Sequence, residues 1–173
     1  HNSGKLQEAL QLTKKEIQKF PNSAILHNIR GSIFQQLDQH EASIESYRQA
    51  LKINPDYAEA YYNMANAFKL NNQLSEALET YDIVVKLEPD NAQAYYNIAN
   101  TYRDKKQLEK SLIAYNRAIE LNPKYAQAYH NMGVTLSDLG RYDTAIISLR
   151  KALKIQPNYA QAYYNLGITL QSN

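Results

Sequence analysis

AEAYYNMANAFKLNNQLSEALETYDIVVKLEPDN, residues 58–91, holds two apolar stripes of helical spacing, a polar turn between them and a proline at the close. In the first half Tyr61, Met64, Ala65 and Phe68 recur at spacings of three, four and seven, which places them on one side of an α-helix. In the second half Leu74, Ala77, Leu78, Tyr81, Val84 and Val85 do the same. Leu70-Asn71-Asn72-Gln73 separates the two, and asparagine tolerates the left-handed conformation that a tight turn requires. Pro89 has no amide hydrogen and its ring clashes with the preceding turn, so the second helix must stop before it.

Working outward, every proline of the chain falls on one grid: Pro21, Pro55, Pro89, Pro123 and Pro157, each 34 residues after the last. A helix stop at a fixed interval of this length, with two helices per interval, is the mark of an all-α solenoid. Counting Ala58 as position one, full units occupy 24–57, 58–91, 92–125 and 126–159. Residues 1–23 read as a second helix alone, with 1–4 as what could be a tag remnant, and 160–173 as a first helix alone. Gly31, Ala65, Ala99, Gly133 and Gly167 recur at position eight, opposite Ala9, Ser43, Ala77, Ser111 and Ala145 of the second helices. Side chains this short let helix axes approach closely. Tyr47, Tyr81 and Tyr115 are expected as large knobs one turn further on, with Leu149 and Thr13 in the same place. Tyr61, Tyr95, Tyr129 and Tyr163 are assigned to the core, and Asp56, Asp90, Asn158 and Asn22 to helix N-caps.

Composition excludes several kinds of chemistry. Nineteen Lys and Arg against 17 Asp and Glu give a net charge of +2, a poor match to nucleic acid, which calls for clustered cations. There is no cysteine, hence no disulfide and no thiolate metal site, and a reducing, cytoplasmic setting is the weakly favoured expectation. No apolar run has the roughly 20 residues a membrane span needs, and no apolar stretch follows a basic start as in a signal peptide. His1, His27, His40 and His130 are scattered, with no pair at the i, i+4 spacing of a helical metal site. No catalytic residue, cofactor or metal is assigned.

The order Tyr61, Met64, Ala65, Phe68, Ala77, Tyr81, Val84, Pro89, repeated as Tyr129, Met132, Gly133, Leu136, Ala145, Leu149, Ala152, Pro157, resembles the tetratricopeptide repeat family. The likeness covers nearly the whole chain. Tyr stands where the family usually has Trp, Val84 is larger than the expected Ala, and His27 and Arg30 replace an aromatic and a Leu in the first full unit. The resemblance implies a right-handed superhelix with the first helices on its concave wall, and a protein or peptide as partner.

Position six of the first helix carries Asn63, Asn97, Asn131 and Asn165. Asn is a mediocre helix former, so propensity does not explain its return. Its amide donates and accepts at once, which suits a peptide backbone. First helices about 10 Å apart and a peptide rising about 3.3–3.6 Å per residue would let one Asn hold roughly every third ligand residue. The resemblance supports this, because some members hold peptides with an asparagine ladder. Beside it lie Tyr62, Tyr96, His130 and Tyr164 at position five, Asn66 and Asn100 at nine, and Lys69 and Arg103 at twelve. The competing use is internal: the amides stiffen the stack and the tyrosines pack between helices. A carboxylate clamp of the family's kind is argued against, since Asn28, Gln127 and Asn131 stand where its cations belong, although Asn66 and Asn97 match its amides. Other readings are end-to-end self-association through Tyr163, Leu166 and Leu170, and a region serving an attached enzyme such as a glycosyltransferase.

Overall fold

The computed structural model describes residues 2–172. His1 lies outside them, and residues 2–4 open the first helix. Among the described residues there are ten α-helices and no strand: α1 (Asn2–Lys19), α2 (Ala24–Gln36), α3 (His40–Ile53), α4 (Ala58–Leu70), α5 (Leu74–Leu87), α6 (Ala92–Asp104), α7 (Leu108–Leu121), α8 (Ala126–Asp138), α9 (Tyr142–Ile155) and α10 (Ala160–Ser172). They gather into two compact units, residues 1–89 and 90–173. In the first, α2 and α3 form a hairpin, α1 packs on α2, α4 packs on both, and α5 pairs with α4. In the second, α6–α7 and α8–α9 are hairpins, α8 also touches α6 and α7, and α10 packs on α8 and α9.

Each hairpin turns in the same way. The amide of Gln39, Gln73, Gln107 or Arg141 reaches back to the carbonyl of Phe34 (2.9 Å), Phe68 (2.8 Å), Tyr102 (2.9 Å) or Leu136 (2.9 Å). The residue before it is left-handed: Asp38 at φ 56°, Asn72 at 58°, Lys106 at 60° and Gly140 at 72°. Asn72 and Gly140 suit this conformation, and Lys106 adopts it against its own steric preference. The closing bond and the two helices it joins dictate the turn.

Helices α1, α3, α5, α7 and α9 all end two residues before a proline. The N-cap expectation is corrected here. Asn22, Asp56, Asp90 and Asn158 lie in the turn, and the first helices α2, α4, α6 and α8 are capped by Ser23, Tyr57, Asn91 and Tyr125, the second residue after each proline. Ser23 and Asn91 accept the amides of Leu26 (3.4 Å) and Ala94 (2.9 Å). Proline and the residue after it together make the turn, so the cap falls on the second residue after proline and not the first.

Between the helices of a hairpin sits one buried knob: Tyr47, Tyr81, Tyr115 or Leu149, none more than 1% exposed. The glycines opposite leave the knob in close contact with the helix backbone. A methyl group at Gly31 would lie 2.5 Å from the Tyr47 ring, and one at Gly133 would lie 2.7 Å from Leu149 Cγ. Each tyrosine knob finds a polar partner at position nine: Tyr47 Oη contacts Ser32 Oγ (3.2 Å), Tyr81 donates to Asn66 Oδ1, and Tyr115 donates to Asn100 Oδ1 at 2.5 Å. Where the knob is Leu149, position nine is Val134. Burial pushes the Tyr115 phenol up to about 12, with Arg103 opposing.

Two further expectations change. Tyr61, Tyr95 and Tyr129 are half-buried and Tyr163 is 56% exposed, so this set is not core. Arg117 lies 5.8 Å over the Tyr95 ring and Lys151 6.0 Å over Tyr129, which lets each phenol face both packing and solvent. Arg30 leaves the helix register intact: its Nε donates to Ser46 Oγ (3.1 Å) and its Nη2 to His27 Nδ1 (3.3 Å). His27 Nε2 therefore carries the hydrogen, which it gives to the Pro21 carbonyl at 3.2 Å. A polar chain of contacts replaces the expected apolar pair.

Candidate functional site

The amides at position six point along the stack rather than straight outward. In residues 1–89, Asn63 Nδ2 donates to Asn28 Oδ1 at 3.2 Å, from α4 back to α2. Asn28 is buried and in turn donates to Tyr57 Oη (3.3 Å) and Glu59 Oε1 (3.1 Å). Tyr62 sets its ring edge-on to the Tyr81 knob, centroids 6.1 Å apart. Asn66 holds the Tyr81 hydroxyl, and Lys69 ends this row half-buried. Neither Tyr62, Asn66 nor Lys69 is without further interactions.

The second unit repeats the pattern with tighter coupling. Asn131 Nδ2 donates from α8 to Tyr96 Oη and to Asn100 Oδ1 of α6, both at 3.0 Å. Asn165 Nδ2 lies 2.8 Å from His130 Nε2, from α10 back to α8. An amide N–H₂ has only hydrogens to give, so Nε2 accepts and the imidazole hydrogen sits on Nδ1, 3.0 Å from Asn131 Oδ1 and 3.2 Å from Tyr159 Oη. Burial holds the His130 pKa below its ordinary value; the Asn131 hydrogen bond opposes this, the Arg103 charge adds to it, and a bond with the Gln161 backbone also opposes it. Asn97 is engaged as well. Tyr164 is 70% exposed.

A row of aromatics at position thirty-four was missed by the sequence reading. Tyr125 stacks on Tyr96 (4.9 Å between centroids, 36° between planes) and gives its hydroxyl to Gln93 Oε1 at 2.5 Å. Tyr159 stacks on His130 in the same fashion, at 4.8 Å and 46°. Tyr57 lies against Asn28. The signal was present, since Tyr57, Tyr125 and Tyr159 share one register position with Asn91 between them. They stand just before the first helix, in what reads as connecting turn.

Every candidate residue on α4, α6, α8 and α10 thus lies on a first helix, and the amide N–H₂ groups of Asn63, Asn131 and Asn165 each bond to the preceding first helix of the same unit. Their carbonyls are less committed. Asn131 Oδ1 accepts from His130 and keeps a lone pair. Among the described residues no group of three or more His, Cys, Asp or Glu could hold a metal, and no helix is long and apolar enough to cross a membrane.

A family model described as "TPR repeat" matches residues 31–72 and 66–102, and two described as "Tetratricopeptide repeat" match 90–158 and 148–173. Small glutamine-rich tetratricopeptide repeat-containing protein 2 of Mycosarcoma maydis is 34% identical over 59 residues, which is 34% of this chain and 17% of that protein. The probable UDP-N-acetylglucosamine–peptide N-acetylglucosaminyltransferase SEC of Arabidopsis thaliana is 33% identical over 69 residues, 40% of this chain and 7% of the enzyme. The chain therefore spans less than a fifth of either relative. Among solved structures, MamA superposes with a TM-score of 0.84 at 24% identity, covering 92% of this chain and 94% of that one. YrrB, described as a TPR protein with an unusual peptide-binding site, gives 0.76 at 23% identity, covering 92% and 82%.

Proposed function

The chain belongs to the tetratricopeptide repeat family, whose members are scaffolds of protein–protein interaction, and from that premise we propose that its first helices hold an extended peptide through the asparagine row. The observation that carries this reading is the one-sided use of the amides. Asn63, Asn131 and Asn165 each anchor their N–H₂ on the preceding first helix, which fixes the direction of the carbonyl. A fixed carbonyl accepts a peptide N–H without losing rotamer freedom on binding. Tyr62 in residues 1–89, and Tyr96 and Tyr164 in residues 90–173, flank the row and supply apolar area with little entropy to lose, while the buried His130 holds Asn131 and Asn165 in place. Asn66 and Lys69 complete the proposed face within residues 1–89, and Asn97, Asn100 and Arg103 complete it within residues 90–173. No residue of the chain is assigned a chemical step. The partial likeness to a glycosyltransferase favours a second setting, in which the same face selects substrates for an attached enzyme.

The anchoring bonds also support a purely internal role, so the test separates the two. Random-peptide display against the wild type and against Asn131→Ala, with circular dichroism and urea melts on both, reads binding and stability independently. Peptides selected by the wild type and lost from a variant of unchanged stability support the groove. A variant that loses stability while binding the same peptides assigns the row to the stack.

A further inference from the structure

Outside the asparagine row, the second helices of residues 90–173 carry a feature that the fold does not use. Ile113 on α7 and Ile147 on α9 are 72% and 67% exposed, the two most exposed aliphatic side chains among the described residues. Both stand at position twenty-two of their repeats, where α3 and α5 carry the exposed Glu45 and Glu79. The same hairpin thus folds with a carboxylate at this position, and the isoleucines add nothing to the core. Their exposure is not an effect of a chain end, because α7 lies between α6 and α8 and α9 between α8 and α10.

Cations exceed free carboxylates around them, with Asp143 one turn before Ile147 as an engaged acid. On α9, Arg150, Lys151 and Lys154 follow Ile147 at i+3, i+4 and i+7, on the same face of the helix. Among the described residues none of the three forms an ion pair. The neighbouring carboxylates on α7 are already neutralised: Glu109 by Arg141 (2.5 Å) and Glu120 by Arg117 (3.0 Å). Two apolar anchors bordered by uncompensated cations complement a helix whose one face carries apolar residues and carboxylates. An anionic bilayer is a poorer match. Two isoleucines are a small apolar face beside the interfacial helices that bind membranes. We propose that α7 and α9 together form a docking surface for an acidic amphipathic helix of a partner protein, with Ile113 and Ile147 as apolar anchors and Arg150 and Lys154 as its charge partners.

The test uses the full chain and a labelled synthetic helical peptide with two leucines one turn apart and glutamates beside them, followed by fluorescence anisotropy. Saturable binding is expected, weakening as salt is raised. Ile113→Glu with Ile147→Glu should reduce affinity about tenfold or more, as should Arg150→Ala with Lys154→Ala. Glu45 and Glu79 indicate that the first pair folds, and circular dichroism verifies it. Asn131→Ala, compared at a temperature where circular dichroism shows it fully folded, should leave this binding unchanged, which separates the surface from the asparagine row. Absence of saturable binding, equal affinity in the Ile113→Glu, Ile147→Glu variant, loss in Asn131→Ala, or binding of phosphatidylglycerol vesicles without binding of the peptide would each overturn the proposal.

Discussion

Replacing Gly133 and Gly167 by alanine, one at a time, should stabilise the chain only at Gly167 although both glycines occupy position eight of a first helix. Alanine gains about 1 kcal/mol over glycine in a helix interior. At Gly167 nothing lies within 4 Å of the added methyl, so that gain is kept. At Gly133 the methyl meets Leu149 Cγ at 2.7 Å, Leu149 Cδ2 at 3.1 Å and the Ala145 carbonyl oxygen at 3.2 Å. Leu149 is fully buried and the carbonyl belongs to α9, so the helices must part. Overpacking of this kind costs about 1–3 kcal/mol, which leaves Gly133→Ala neutral to about 2 kcal/mol destabilised. Ala65 and Ala99 facing the buried Tyr81 and Tyr115 indicate that such a separation is attainable, which favours the lower half of that range. Urea melts followed by circular dichroism report the sign at Gly133. Amide exchange within α10 reports Gly167→Ala locally, since helical arrays do not always unfold as one unit. Equal stabilisation by both substitutions would refute the argument that the Gly133–Leu149 contact, rather than duplication, requires the glycine.

Lys106→Gly should stabilise the chain by about 1 kcal/mol in the same melts, because a non-glycine residue at positive φ costs about that much. Tyr115→Phe should cost about 0.5–1.5 kcal/mol through loss of the buried bond to Asn100 Oδ1; the Asn131–Asn100 bond remains, so the asparagine row should keep its geometry by NMR. His130 is held below its ordinary pKa of about 6.5, so the unfolded chain binds its proton more strongly. Its contribution to stability is therefore full above about pH 6.5 and falls as pH drops toward the lowered folded value. His130→Tyr, which places there the residue found at Tyr62 and Tyr96, should flatten urea midpoints measured between about pH 5 and 7.

Periodicity alone made the helices legible. Five prolines on one grid set where second helices end, and alternating apolar spacing set which faces meet. These are local and repetitive signals, and a solenoid is built from contacts between neighbouring segments, so local rules suffice for its elements. The knob positions Tyr47, Tyr81 and Tyr115 and the small residues opposite them followed from the same count. The pairing of Tyr81 with Asn66 and of Tyr115 with Asn100 was also written in the chain, in the joint change to Leu149 and Val134, but it becomes readable only once the two helices are known to face each other.

The sequence by itself determined the repeat, its helices, its turns and the rows of residues that share a face. Tertiary structure decided what those rows touch. Asn131 could have pointed its amide at solvent; packing of α8 on α6 brings Tyr96 and Asn100 within 3.0 Å, and the amide turns to them. Tyr159 reads as connecting turn until the start of α10 lays it on His130. The physical reason is that helix formation depends on neighbours three or four residues away, whereas the partner of a polar side chain is set by groups about 30 to 35 residues distant, whose approach exists only in the folded stack.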